Sequence, residues 1–248
     1  YEITTRLVGS EMCIRDRILL CFVIQAVSYE YQAKKGNLLG KKTYQVFLMI
    51  NGIAGPILLG TAVATFFNGA EFIVNKEQLT DVAMPVISTW ANPWHGLEAA
   101  LVFWNLCLGL AVFFLARALA LLYFINNIDS ETIYTRARRQ LLYNAVPFVV
   151  FFLLFVVATL CADGYQFNSV SGEISVRAYK YFYNLMEMPW VLFLFLLGVA
   201  GVLYAIVRSV FFKRWIYGIW FSGIGTIFVV LSLFFLAGYN NTPYYPSA

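Results

Sequence analysis

Apolar residues come in long blocks along this chain, separated by short polar intervals. Five blocks, residues 44–67, 96–125, 141–162, 189–207 and 215–238, are each about long enough to cross a membrane. A helix rising about 1.5 Å per residue needs roughly 20 residues for a hydrocarbon layer of about 30 Å. Four of the five blocks hold no Asp, Glu, Lys or Arg. An unpaired charge at the centre of such a helix costs at least about 2.5 kcal/mol, so their omission fits lipid as the solvent. A sixth block, residues 18–27, is too short to cross and reads as a helix cut short. The pattern predicts an all-α fold, a polytopic transmembrane helix bundle of about six helices with the first one truncated.

The polar intervals set its orientation, because basic loops stay on the cytoplasmic side. Lys34, Lys35, Lys41 and Lys42 fill the first interval, Arg136, Arg138 and Arg139 the third, and Arg208, Lys213 and Arg214 the fifth. The second has Lys76 against Glu71, Glu77 and Asp81, and the fourth only Arg177 and Lys180 among its bases. Odd intervals are therefore placed inside and even ones outside. Small residues at Gly60 and Ala64, Gly198 and Gly201, and Gly218 and Ser222 are expected to let helices pack closely. Pro56, after Gly55, is expected to kink its helix.

Composition strengthens the membrane assignment: 61% of residues are hydrophobic and 12% charged, against roughly 25% charged in soluble domains. The net charge of +4 belongs to topology, since its bases sit in loops and make no nucleic-acid face. The four cysteines stand alone, with no C-x-x-C, which argues against a disulfide framework or a zinc site. Residues 1–17 lack an apolar period, mix charges and abut the first block without a cap. They are expected to be a non-native N-terminal scar that resembles a translated sequencing adapter, leaving 18–248 as a single transmembrane helical domain. A signal peptide is the alternative, disfavoured by Glu11 and Asp16 in its basic region.

Phosphate-loop, dinucleotide and H-E-x-x-H motifs are absent from the sequence. Haem iron is held by axial His, Met or Cys side chains, and the single histidine, His95, follows Asn92, Pro93 and Trp94 at an expected helix end. It reads as a capping or solvated residue, so no metal ligand and no catalytic residue is assigned. Glu98 and Arg117 are the only charges inside a predicted span and are the proton or charge candidates. Glu98 lies in the first expected turn, where the helix dipole favours an anion. Arg117 is displaced towards the basic end and can snorkel. Nineteen positions, about 28 Å of helix, keep them apart. Gln25, Asn51, Asn105 and Asn144 are expected to hydrogen-bond between helices.

Several strings in order are similar to subunit II of the cytochrome bd quinol oxidases: Tyr29-Glu30-Tyr31; Asn92-Pro93 with Gly96-Leu97; Arg136-Ala137-Arg138; and the tail Gly238-Tyr239-Asn240-Asn241-Thr242-Pro243-Tyr244-Tyr245-Pro246-Ser247. Asn92, Pro93, Trp94 and Gly96 become motif or interface candidates. The resemblance implies two family helices before this sequence and one after it, with the family's proton-delivering acids among the former. Gln25-Ala26 stands where an Arg-Pro is common. It further implies a haem-poor subunit beside a haem-bearing subunit I that carries haems b and d. Together they would oxidise membrane quinol and reduce oxygen to water in the bacterial cytoplasmic membrane. On this reading the chain scaffolds the complex, aids proton conduction and holds a quinone or lipid. A solute permease resting on Gly55-Pro56 as a broken helix, and a structural or assembly protein, are the alternatives; no nucleic-acid partner is expected.

Overall fold

The computed structural model of the chain describes residues 2–34, 39–69, 72–74, 88–90, 97–168, 173–212 and 215–242, the side chains of 2–15, 72, 74, 88–90 and 97 excepted. In chain order these form α1 (Glu2–Tyr31), α2 (Lys41–Asn68), strands β1 (Phe72–Val74) and β2 (Ser88–Trp90), a 3₁₀ turn (Leu97–Leu101) and α3 (Phe103–Asn127). Then follow α4 (Glu131–Cys161), strands β3 (Gly164–Phe167) and β4 (Ile174–Arg177), α5 (Lys180–Glu187), α6 (Pro189–Phe211) and α7 (Gly218–Gly238). Five helices, α2, α3, α4, α6 and α7, are long and apolar enough to cross a membrane. Their outward faces carry large apolar side chains such as Met49, Leu153, Phe193 and Ile227, as lipid-facing helices do. The all-α polytopic expectation holds, with two small antiparallel hairpins added in the even-numbered intervals.

The boundaries differ from the apolar blocks in three places. Residues 18–27 lie within one 30-residue helix, α1. The block at 96–125 is not one helix: the 3₁₀ turn precedes an α-helix that starts only at Phe103. Asn105 supplies the reason, because its Nδ2 donates to the Ala99 carbonyl at 2.8 Å, an oxygen that an unbroken α-helix would offer to the amide four residues on. Glu98 therefore stands before the span rather than inside it, correcting its expected place. α4, for its part, starts ten residues ahead of its apolar block and carries Arg136, Arg138 and Arg139 on the overhang. α2 runs as one helix through Gly55 and Pro56.

The chain forms two compact units, Tyr1–Leu110 and Ala111–Ala248. In the first, α1 packs along α2, and α2 meets the start of α3 with no side chain between them. A Cβ added at Gly60 would lie 2.7 Å from the Gly109 Cα and 2.8 Å from the Leu108 oxygen. In the second, α6 and α7 form the main pair. A Cβ at Gly225 would lie 2.7 Å from the Gly198 carbonyl oxygen, and one at Gly198 equally close to that of Gly225. Stacked rings of Phe114 with Phe151 (6.1 Å) and of Phe152 with Phe195 (6.3 Å) join α3 to α4 and α4 to α6.

These contacts predict unequal tolerance within α7. Gly225→Ala puts a methyl against backbone that cannot move aside, an overpacking worth about 1–3 kcal/mol. Gly223 has open space around it, so Gly223→Ala should leave the thermal unfolding midpoint in detergent unchanged or raise it slightly, alanine being the better helix former. The midpoint of Gly225→Ala should fall by several degrees; equal midpoints for the two variants would contradict the packing.

Candidate functional site

Polar side chains gather in three places, one in the first unit and two in the second. In the first unit Asn105 is fully buried, accepts from Asn68 Nδ2 at 2.5 Å and donates to Ala99. It thereby ties the end of α2 to the turn that carries Glu98. Both Glu98 carboxylate oxygens are buried and have no hydrogen-bond partner among the described residues. Buried polar atoms left in this way are uncommon and costly. Asn51 Nδ2 on α2 and Ser28 Oγ on α1 are likewise buried without a partner among the described residues. His95, Asn92, Pro93, Trp94 and Gly96 lie outside the described residues.

In the second unit Arg117 of α3 donates from Nε to Asn144 Oδ1 of α4 at 2.7 Å, and its guanidinium lies over the Phe113 ring at 5.6 Å. Asn144 in turn donates to the Gln140 carbonyl. Asn105 and Asn144 thus make the interhelical bonds expected of them. Arg117 has no acidic partner among the described residues, and its side chain is exposed. Glu98 belongs to the first unit and Arg117 to the second.

The third place lies at the opposite end of the second unit from the basic loops, and the sequence pattern did not single it out. Lys180, opening α5, is only 1% exposed. Its Nζ donates to the Asn240 carbonyl at 3.0 Å, and Gly164 leaves space for its stem, since a Cβ there would meet the lysine Cβ at 2.9 Å. Asn184, one turn on and also buried, donates to the Leu236 carbonyl and to Thr242 Oγ and accepts from Asn240 Nδ2. Asn240 bonds Glu187 too, whose other oxygen is 3.5 Å from Arg177, and Arg177 rests on the Tyr183 ring. Asn240 and Asn241 both take left-handed backbone conformations, which asparagine tolerates better than most residues. Phe167 of β3 donates its amide to the Asn241 carbonyl. The chain leaving α7 is thus buckled to the β3–β4 hairpin and α5. The signal was present: Lys180 and Asn184 at i and i+4 put polar groups on the side of α5 that also buries Tyr181 and Leu185.

A small apolar crevice, open on one side, lies between α4, α5, α6 and α7; Phe155, Thr159, Leu160, Leu185, Phe195 and Leu233 are among its walls. Its exposed lining is apolar and presents no polar atom to a quinone carbonyl. Among the described residues no three His, Cys, Asp or Glu side chains converge on a point that could hold a metal ion.

Five helices long and apolar enough to cross a membrane, joined within each unit by asparagine hydrogen bonds and backbone contacts, define a multi-pass membrane protein. The chain belongs to the family of cytochrome bd terminal oxidase subunit II, whose sequence model matches residues 16–247. It is therefore a subunit of a terminal oxidase complex, with a partner subunit. No curated protein matches the chain.

Lys180 carries a pH prediction. Burial lowers its ammonium below the usual lysine value of 10.5, Glu187 opposes the shift and Arg177 adds to it. The folded state then binds its proton less readily than the unfolded state. Stability gained from this site is fully present above pH 10.5 and is lost as pH falls through the folded value. Measured from neutral pH to 10.5, the unfolding midpoint of the wild type should rise relative to that of Lys180→Met. Parallel curves would contradict this.

Proposed function

We propose that the chain is the haem-poor subunit of a quinol-oxidising, oxygen-reducing terminal oxidase of the bacterial cytoplasmic membrane. The observation that carries this reading is the family match across residues 16–247. A composition with one histidine in 248 residues supports it, because axial ligation of several haems needs more such side chains than this chain supplies. Haems b and d belong to the partner, subunit I, which holds the redox chemistry. When bound there, they supply electron transfer and oxygen reduction. This chain supplies an apolar helical scaffold for the complex, and a lipid or quinone would lodge among its helices.

Glu98 is the side chain through which we expect this subunit to affect turnover. Its two buried oxygens lack partners among the described residues, so either a proton carrier or a donor from the partner subunit would complete it. Arg117, already bonded to Asn144, serves the bundle first. A permease reading would need a discontinuous helix to build a midplane site, and α2 runs as one helix through Gly55 and Pro56.

Co-expression of this subunit with subunit I, followed by quinol-driven oxygen uptake, tests the proposal. Uptake should require both chains. Glu98→Gln preserves shape and removes charge; it should lower turnover per complex, or complex yield, several-fold. Normal turnover with reduced yield would make Glu98 a subunit contact, and no change in either would remove it from the function.

A further inference from the structure

Residues 97–101, Leu-Glu-Ala-Ala-Leu, are all strong helix formers, and α3 starts just beyond them at Phe103. Local preference alone would carry α3 back through this segment. It stands instead as a five-residue 3₁₀ turn, longer than such turns usually run. The Ala99 carbonyl, which a continuous α-helix would give to the Phe103 amide, accepts from Asn105 Nδ2 at 2.8 Å. Asn105 is itself fixed: it is fully buried, and its Oδ1 accepts from Asn68 Nδ2 of α2. Gly60, Thr61, Ala64 and Thr65 lie buried on the same side of α2 as Asn68. A Cβ at Gly60 would stand 2.7 Å from the Gly109 Cα, so the two backbones are in contact one turn beyond Asn105.

This arrangement decides where Glu98 stands. A 3₁₀ turn advances about 120° and about 2.0 Å per residue, an α-helix about 100° and about 1.5 Å. From Phe103 back to Glu98 the difference sums to about 100° of rotation and about 2.5 Å along the axis. Winding residues 97–101 into α3 would therefore take the carboxylate out of the place in which both its oxygens are buried. We propose that Asn105, backed by Asn68, is the positioning residue for Glu98. By taking the Ala99 carbonyl it holds the 3₁₀ turn, and through the turn it holds the carboxylate in its enclosed place. A segment held against its own helix preference is a conflict between local and global structure, and such conflicts collect at functional sites. The consequence for turnover rests on the reading of Glu98 given above; the hold on the turn stands without it.

Two readouts separate these steps. In the first, the full chain carrying Glu98→Cys is purified in mild detergent and reacted with N-ethylmaleimide, and labelling at position 98 is followed by peptide mass spectrometry. The enclosed thiol should react slowly. Adding Asn105→Leu, close in volume but without either hydrogen bond, should raise the rate several-fold. Asn68→Leu removes only the backing bond and should raise it less; it carries the test if Asn105→Leu fails to elute as a folded, helical protein. Asn144→Leu breaks the corresponding asparagine bond of the second unit and should leave the rate unchanged. In the second readout, quinol-driven oxygen uptake by the complex with subunit I, Asn105→Leu should lower turnover per complex as far as Glu98→Gln does. The two together should lower it no further, because one acts through the other. Unchanged labelling in Asn105→Leu and Asn68→Leu would overturn the proposal whatever the turnover, as would an equal rise with Asn144→Leu or a double variant whose losses multiply. Faster labelling together with normal turnover in Glu98→Gln would uphold the positioning and remove the role of Glu98 in the oxidase.

Discussion

Backbone meeting backbone at Gly198 and Gly225 is the contact on which the second unit is built. Water drives apolar surfaces together in soluble proteins, but lipid tails are as apolar as leucine and supply no such drive between helices. What remains is close van der Waals approach and a few hydrogen bonds, and both need small residues at the crossing. With the Gly198 oxygen 2.7 Å from where a Gly225 Cβ would stand, neither position admits even alanine without a shift. Gly60 against Gly109 does the same in the first unit. The many exposed phenylalanines, leucines and valines are left to face lipid or the partner subunit.

The same solvent dictates where polar groups are tolerated. Asn105 and Asn144 are buried and each finds a partner on a neighbouring helix. Lys180 is buried beyond the apolar stretches, where Asn240 and Glu187 compensate it. Glu98 breaks this rule among the described residues, as do Asn51 and Ser28, and it alone of the three is a carboxylate. A subunit that is complete by itself would pair such a carboxylate, whereas a subunit that functions inside a larger complex can leave the pairing to its neighbour.

Most of the bundle was legible because block length and charge exclusion are direct consequences of the bilayer: every block of about 20 residues or more contains a membrane-length helix. Where a helix starts was harder to read. Nothing in the apolar run at 96–125 announces that Asn105 will capture the Ala99 carbonyl and stop the α-helix short of Glu98. Gly60 and Gly198 stood out as packing positions, yet their partners Gly109 and Gly225 did not, since a crossing pairs residues far apart in sequence. The Lys180 buckle was hidden for a related reason. It joins α5 to the chain after α7 over 60 residues, and a lysine between membrane spans reads as a solvated charge until burial is known. The tail string Asn240-Asn241-Thr242 was read as a family resemblance; its physical role, accepting from Lys180 and Phe167 and bonding Asn184, needed coordinates.

The central claim, that this subunit completes an oxidase without holding its redox centres, is tested most directly by a pyridine haemochrome assay on the purified chain expressed without its partner. The account predicts no haem above background in the isolated chain, and haem in the material eluted by a tag on this same chain once subunit I is co-expressed. Near-stoichiometric haem in the chain alone would contradict it.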